Sequence, residues 1–267
     1  YLHVPFCAER CHYCYYRSYA QPTHDQTDHY IDVLLNELTT YAQTPAVAGR
    51  DLDFIYVGGG TPSLLSARQI QRLFDGVNEL FSFDSAREVT FECAPQSATE
   101  DRLRVLRDVG VTRISMGVQQ LDDEVLRKSG RIHRVEHVER AWERIEPLGF
   151  PVVNLDLMVG LVGETEESFF GSLGRIIEMG PPSVTIYLLE IPSNTPLFHA
   201  LQDHQIEQVP AAWDVKRDRM RRAFEKLEQS GYAIRSAYAA VRDPDNCRFV
   251  YQDAQYHGAD LLGLGVA

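Results

Sequence analysis

Three cysteines near the start of the chain have side chains and a spacing suited to metal chemistry. Cys7, Cys11 and Cys14 follow the pattern Cys-x3-Cys-x2-Cys. Thiolates are the usual ligands of iron–sulfur clusters, and a 4Fe–4S cluster normally takes four of them. Three thiolates leave one iron open to bind a molecule that reacts. The pattern is therefore compatible with a 4Fe–4S cluster that has an open iron.

Two other uses of these cysteines compete with the cluster. A structural zinc site of the Cys3His type could take its fourth ligand from His3 or His12. A disulfide framework is less suitable, because five cysteines in 267 residues are few and odd in number. The spacing alone leaves cluster and zinc open. Cys93 and Cys247 are expected to be buried thiols.

The cysteine spacing, with the aromatic Tyr13 inside it, resembles the signature of the radical S-adenosylmethionine (SAM) enzymes. The preceding run from Tyr1 to Phe6 is similar to the oxygen-independent coproporphyrinogen III oxidase (coproporphyrinogen dehydrogenase) family. The resemblance implies that SAM binds the open iron and that Tyr1 and Tyr13 lie at the cofactors. It implies that an electron from a flavodoxin or ferredoxin splits SAM into methionine and a 5′-deoxyadenosyl radical. That radical would take a hydrogen atom from a small-molecule substrate.

A glycine run, Gly58 to Gly60, precedes Thr61 and directly follows a predicted strand. Glycine permits close backbone approach to a ligand and leaves amide and carbonyl groups free. An ordinary strand-to-helix turn would look the same. The run resembles the glycine-rich motif that contacts the methionine part of SAM, which implies this role for Gly59, Gly60 and Thr61.

Four polar side chains stand at or near the ends of predicted strands, where barrel enzymes place their active residues. They are Glu92, Gln119, Arg131 and Asp156. A charged group inside an apolar strand, such as Asp156, is costly to bury without a partner. The planar fork of Arg131 suits a carboxylate. Taken singly, each is more often structural. Their order and spacing resemble the family's SAM contacts, which implies that all four bind SAM.

Apolar runs with strand character alternate with segments of helical period, which is typical of βα units and a parallel sheet. The predicted strands are Tyr1–Val4, Asp53–Val57, Glu88–Glu92, Arg113–Met116, Val152–Leu157 and Ser183–Leu189. The predicted helices are Thr27–Tyr41, Ala67–Phe81, Glu100–Val109, Val135–Pro147 and Glu166–Met179. The pattern predicts an α/β fold, a partial (β/α)6 TIM-like barrel. The resembled family has this fold too.

The chain divides into a barrel core, residues 1–205, and an α+β extension, residues 206–267. The extension is expected to contain a helix over Ala211–Gln229 and strands over Ala233–Ala239 and Phe249–Asp253. It would close or flank the open side of the barrel. Because the chain begins with Tyr rather than Met, directly on the cysteine motif, we expect it to be truncated at both ends.

Composition limits the partners. The chain is 44% hydrophobic and 24% charged, with a formal net charge of −12. This charge argues against nucleic acid or an anionic membrane surface as a general partner. No apolar stretch approaches the roughly 18 residues that suggest a membrane span. A reducing, cytoplasmic location suits an exposed cluster. His133 and His137, four residues apart, are expected on a solvated helix surface.

The expected reaction follows from where the resemblance stops. Coproporphyrinogen dehydrogenases carry a further cysteine where this chain has Tyr16, and haem-handling relatives carry a His-Asn-x-x-Tyr-Trp motif that Tyr251 to Tyr256 lacks. We therefore expect methylation or cyclopropanation of an sp2 carbon of a planar small molecule, with a second SAM. Tyr15, Tyr16 and Arg17 would contact the substrate or that second SAM. Porphyrinogen decarboxylation and a non-catalytic, cluster-binding or haem-handling carrier remain alternatives.

Overall fold

The structure is a computed structural model that describes residues 1–205 and 209–266. Strands and helices alternate through most of it. The strands are β1 (Leu2–Val4), β2 (Phe6–Cys7), β3 (Tyr19–Ala20), β4 (Phe54–Gly59), β5 (Glu88–Cys93), β6 (Arg113–Gln119), β7 (Val152–Val159), β8 (Ser183–Leu188), β9 (Ala233–Ile234) and β10 (Ala239–Val241). The helices are α1 (His24–Ala42), α2 (Ala67–Leu80), α3 (Glu100–Asp108), α4 (Asp123–Lys128), α5 (Val135–Ile145), α6 (Glu166–Met179), α7 (Pro196–Gln202), α8 (Trp213–Gln229) and α9 (Val250–Tyr256).

The main sheet has the strand order β1-β4-β5-β6-β7-β8-β10-β9. Neighbours from β1 to β8 pair in parallel, and β10 pairs antiparallel with β8 and β9. Helices connect the parallel strands. This arrangement confirms the predicted α/β fold of six βα units in a partial barrel. Strands β2 and β3 form a separate parallel pair that brackets the cysteine segment.

Alternation along the strands separates an apolar face from a polar one, because successive side chains point to opposite sides of a sheet. Residues such as Phe91, Met116 and Leu155 are fully buried and pack against the helices in the main core. The residues that alternate with these along each strand are mostly polar, for example Glu92 and Asp156. The hydrophobic core thus lies between sheet and helices, and the inner face of the sheet carries the chemistry.

Hydrogen-bonded caps fix where several helices begin. Thr23, Ser66 and Thr165 each accept a hydrogen bond from the backbone of the first helical turn and complete a capping box with α1, α2 and α6. Helix α6 ends at Gly180, whose φ of 71° lies in the left-handed region that glycine adopts without strain. These short-range signals explain why the predicted helices match the observed ones closely.

The C-terminal segment departs from the sequence prediction in two places. The expected strand over Ala233–Ala239 is two short strands, β9 and β10, separated by a turn. The expected strand over Phe249–Asp253 is wrong, because residues 250–256 form helix α9. The Glu88 carboxylate accepts hydrogen bonds from the amides of Val250 and Tyr251, which caps that helix from a distant strand. The domain boundary at 205 stays a prediction, since residues 206–208 lie outside the described residues.

The last described residues return to the first strand. Leu264 forms a parallel bridge with Leu2, and their neighbouring backbone groups hydrogen-bond, from His3 N to Leu264 O (3.0 Å) and from Leu264 N to Tyr1 O (2.9 Å). The free edge of β1 is therefore covered. Within residues 1–205 and 209–266, no helix has the length and apolar character needed to cross a membrane.

Candidate functional site

The glycine run holds the cysteine segment in place. The amide of Gly60 donates to Val4 O (2.8 Å), and the amide of Thr61 donates to Phe6 O (2.7 Å). A Cβ atom on Gly60 would lie 2.6 Å from Phe6 O and 3.0 Å from Cys7 Sγ, so no larger residue fits without displacing the segment. The expectation of free amides is wrong, because the chain itself uses them. The close approach that glycine permits is to the cysteine segment.

Polar groups surround the cysteine thiols. The Arg131 guanidinium donates to Cys11 Sγ at 3.3 Å, and the Thr61 hydroxyl lies 3.7 Å from Cys7 Sγ. Positive charge and hydrogen-bond donors stabilise thiolates. Burial raises the pKa of Cys7 and of Cys14. All three thiols are free. The segment can therefore supply three thiolates to a bound iron–sulfur cluster, and the Arg131 guanidinium lies beside one of them.

The two histidines that could complete a zinc site make hydrogen bonds through one ring nitrogen. His3 Nδ1 shares a hydrogen bond with the Tyr1 hydroxyl (2.9 Å) while its Nε2 has no partner among the described residues, and His12 Nδ1 lies 3.2 Å from Lys128 O. In the described part of the chain, no three His, Cys, Asp or Glu side chains are grouped closely enough to hold one metal ion. A 4Fe–4S cluster does not need such close grouping, because each thiolate binds a different iron atom.

A cavity of about 480 Å³ opens beside the third cysteine. It brings together most of the side chains that the sequence singled out. The lining includes Tyr13, Cys14, Tyr15, Tyr16, Gly60, Thr61, Glu92, Gln119, Arg131 and Asp156. Glu92, Gln119 and Asp156, from three neighbouring strands, thus meet Arg131, from the loop between α4 and α5, in one cavity next to the cysteines.

Glu92 lies on β5 and faces this cavity. Its carboxylate accepts hydrogen bonds from the Tyr56 hydroxyl (2.5 Å) and from the amide of Gly59 (3.0 Å). Burial raises its pKa to about 7, and the nearby Asp156 adds to the rise. A carboxyl group that titrates near neutral pH inside a cavity is typical of a functional site.

Asp156, on β7, lies opposite Gly117 of β6 and Thr185 of β8. Its carboxylate accepts hydrogen bonds from the Ser115 hydroxyl (3.1 Å) and the Asn154 amide (2.7 Å). Burial raises its pKa to about 6. These neutral partners hold the carboxylate without cancelling its charge, so it can still attract a positively charged ligand.

Gln119 stands at an irregularity of the sheet. The register between β6 and β7 shifts between Gly117 and Gln119, and Gln119 has a φ of 68°. A left-handed conformation strains a residue that is not glycine, and such strain occurs often at functional sites. Gln119 Oε1 and the Tyr13 hydroxyl are buried without a hydrogen-bond partner among the described residues. Both line the cavity, and both could bind polar groups of a ligand.

Arg131 links the cavity to the cysteines. Besides Cys11 Sγ, its guanidinium donates to Gly117 O (2.7 Å) and approaches His133 Nδ1 (3.3 Å). His133 is buried, with Nε2 3.0 Å from Val118 O, so the expected solvated histidine pair is wrong. Helix α5 begins only at Val135, beyond His133. Burial, reinforced by the Arg131 charge, lowers the pKa of His133 to about 3.

Several predicted residues lie outside the cavity lining. Tyr1 packs its ring on Tyr56, with centroids 5.9 Å apart. Arg17 donates from Nε to the Tyr19 hydroxyl (3.1 Å), away from the lining. Three other predicted residues contact side chains of the lining: Gly59 contacts Glu92, Cys7 contacts Thr61, and Cys11 contacts Arg131. Their assignments as cofactor or substrate contacts stay predictions.

Sequence reasoning missed several side chains of the cavity, among them Tyr56, Ser115, Tyr187, Glu190 and Tyr238. Tyr56 and Ser115 alternate with buried apolar residues on their strands, which is a readable signal. Tyr187 stands next to last on β8, where the strand-end rule would have found it. Tyr238 precedes the short strand β10, and its position depends on pairing that no local pattern shows.

Comparison with known proteins agrees with this geometry. The model of the radical SAM superfamily matches residues 1–174. The chain belongs to the radical SAM superfamily. Membership implies a 4Fe–4S cluster and SAM as cofactors, and the donor set described above fits both.

Individual relatives indicate which radical SAM proteins the chain resembles. The chain is 34% identical to the heme chaperone HemW of Escherichia coli, over 99% of this chain and 68% of that protein. It is 30% identical to the oxygen-independent coproporphyrinogen III oxidase of E. coli, over 100% of this chain and 60% of that protein. The solved structure of coproporphyrinogen III oxidase (HemN) from E. coli matches 99% of this chain and 62% of that chain, with a TM-score of 0.85. The resemblance drawn from the motifs is confirmed. The chain spans about 60–68% of these relatives.

Proposed function

We propose that this chain holds a 4Fe–4S cluster on Cys7, Cys11 and Cys14, binds SAM in the adjoining cavity and cleaves it reductively. The observation that carries the proposal is one cavity that places the polar side chains of Glu92, Gln119, Arg131 and Asp156 beside the cysteine segment. When bound, the cluster supplies the electron that splits the sulfonium of SAM and yields a 5′-deoxyadenosyl radical. The small molecule that meets this radical would be the substrate.

In this proposal several residues of the chain bind different parts of SAM. Glu92 and Asp156 provide carboxylates for its positively charged groups, because hydrogen bonds to charged partners are the stronger ones. The unpartnered Oε1 of Gln119 accepts a hydrogen bond from a hydroxyl group of SAM, for example on the ribose. Arg131 keeps a positive charge beside Cys11 and the cavity. Apart from Arg131, these groups lie on the rigid strands, so they are held in place before SAM arrives.

The decisive experiment is anaerobic reconstitution with iron and sulfide, reduction, and addition of SAM. Reductive cleavage predicts 5′-deoxyadenosine and methionine in equal amounts. If neither forms while the cluster is present and reduced, the proposal is wrong. A cytoplasmic location and a flavodoxin or ferredoxin donor belong to this proposal, since an exposed, oxygen-sensitive cluster requires a reducing environment.

The fate of the radical is a second question. We retain methylation or cyclopropanation with a second SAM as a prediction, although the relatives are a heme chaperone and a coproporphyrinogen III oxidase and are named for neither reaction. SAM labelled at the methyl group tests it: label in the product supports methyl transfer, and its absence from the product contradicts it. Coproporphyrinogen III oxidase activity would instead release carbon dioxide from the substrate.

A non-catalytic role is the second candidate function. The observation in its favour is the 34% identity to a heme chaperone over 99% of the chain. A carrier would bind haem without consuming SAM. A haem titration followed by the Soret band, made beside the deoxyadenosine assay, separates a carrier from an enzyme.

A further inference from the structure

Two pairs of tyrosines border the outer part of the cavity. The rings of Tyr15 and Tyr16 stack with centroids 4.5 Å apart, and those of Tyr187 and Tyr238 stack at 5.9 Å. All four side chains line the cavity, and each is between 41% and 50% exposed. Glu92, by contrast, is more deeply placed. The entrance is therefore aromatic and the interior polar.

A hydrogen bond to a main-chain carbonyl ties one tyrosine of each pair to the rest of the fold. Tyr238 O accepts from the amide of Ile186 at 2.7 Å, which ties Tyr238 to β8 one residue before Tyr187. Tyr15 O accepts from the Asn194 side chain at 3.2 Å, which ties the loop after the cysteines to the loop after β8. A rigid aromatic surface loses little conformational entropy when a ring stacks on it.

The charges of the cavity select among flat molecules. Glu92, Asp156 and Glu190 contribute three carboxylates to the lining. Among the described lining residues, Arg131 is the only Arg or Lys, and its guanidinium already donates to Gly117 O and Cys11 Sγ. A substrate with several carboxylates would thus meet like charge and find no unengaged cation there, which weakens binding.

We propose that these two tyrosine pairs form a stacking site for a flat aromatic ring system that is neutral or positively charged. This proposal rests on the proposed function, because the stacked ring is the molecule that would meet the SAM-derived radical. It assigns substrate selection to Tyr187 and Tyr238, which no sequence motif indicated.

Fluorescence titration of the cofactor-free protein with three flat probes tests the proposal. The probes are proflavine, a cation; lumichrome, which is neutral; and coproporphyrin III, which carries four carboxylates. We expect proflavine and lumichrome to bind at least tenfold more tightly than coproporphyrin III. Tyr238→Ala should weaken proflavine and lumichrome binding about tenfold, or ~1.4 kcal/mol, the upper range for an aromatic pair.

Matched variants separate stacking from general effects. Tyr238→Phe keeps the ring and should change binding less than about twofold, and Tyr256→Ala, on a 78% exposed residue of α9 outside the cavity, should leave it unchanged. If the melting temperature shows that Tyr238→Ala is misfolded, Tyr16→Ala, in a loop, takes its place. Equal or tighter binding of coproporphyrin III, or no loss in a folded Tyr→Ala variant, overturns the proposal. These titrations need no cofactor, so their failure is distinct from an absence of SAM cleavage by the wild type.

Discussion

The substitution Glu92→Gln should make the cofactor-free protein more stable at high pH and leave its stability at low pH nearly unchanged. Burial raises the pKa of Glu92 from 4.5 to about 7. One pKa unit corresponds to about 1.4 kcal/mol, so ionisation of this group costs the folded state about 3 kcal/mol. Because the carboxylate borders a solvent-accessible cavity, about 2 kcal/mol is the more realistic value.

The sign follows from proton linkage. A raised pKa in the folded state means that the folded protein binds the proton more tightly than the unfolded chain. The resulting stabilisation is fully present below about pH 4.5 and is lost as the pH rises through about 7. Glutamine does not titrate, and like the protonated carboxyl it keeps one carbonyl oxygen as an acceptor for the Tyr56 hydroxyl or the Gly59 amide, so it mimics the low-pH form of the wild type.

Urea denaturation at pH 5 and pH 8 measures the effect. We expect Glu92→Gln to match the wild type within about 0.5 kcal/mol at pH 5 and to be about 2 kcal/mol more stable at pH 8. Glu143→Gln, on an exposed residue of α5, is the control and should show no such pH dependence. If the difference between Glu92→Gln and the wild type is the same at both pH values, the raised pKa and the argument built on it are wrong.

Three further predictions concern the cavity and the cysteine segment. Gly60→Ala should prevent cluster assembly, because its methyl group would meet Phe6 O at 2.6 Å. Iron and sulfide analysis after reconstitution measures cluster assembly. The control Gly171→Ala, whose methyl group would have no atom within 4 Å, should assemble the cluster normally. Gln119→Gly should keep or raise the melting temperature, since glycine adopts the φ of 68° without strain. The same substitution should weaken SAM binding, measured by equilibrium dialysis, at least tenfold. Unchanged affinity would exclude Gln119 as a SAM contact. SAM affinity of the reconstituted protein should rise between pH 6 and pH 8 as Glu92 and Asp156, with pKa values of about 7 and about 6, lose their protons; a pH-independent affinity would contradict their role in binding a cation.

Much of the fold could be predicted because its signals are local. Helix caps such as Ser66 lie within four residues of the groups they bind, and the strand-to-helix alternation needs no distant contact. The polar groups at strand ends could be placed together for a related reason. Parallel strands all present their carboxyl ends at one edge, so Glu92 and Asp156 had to share that edge.

The errors arose where a distant residue decides the local structure. Residues 250–256 form a helix because Glu88, more than 160 positions earlier, caps its first turn. Tyr238 reaches the cavity only through antiparallel pairing of β10 with β8. The amides of Gly60 and Thr61 hold the cysteine segment, a use that the glycine run alone does not indicate, and the role of this run as a SAM contact stays a prediction.

The central claim is that three cysteines hold a cluster that acts on SAM in the adjoining cavity. The most direct test compares 5′-deoxyadenosine formation by the reconstituted wild type with that of Cys11→Ala and of Cys247→Ala, a buried thiol outside the cavity lining. We predict formation by the wild type and by Cys247→Ala, and none by Cys11→Ala. Undiminished formation by Cys11→Ala would contradict the account.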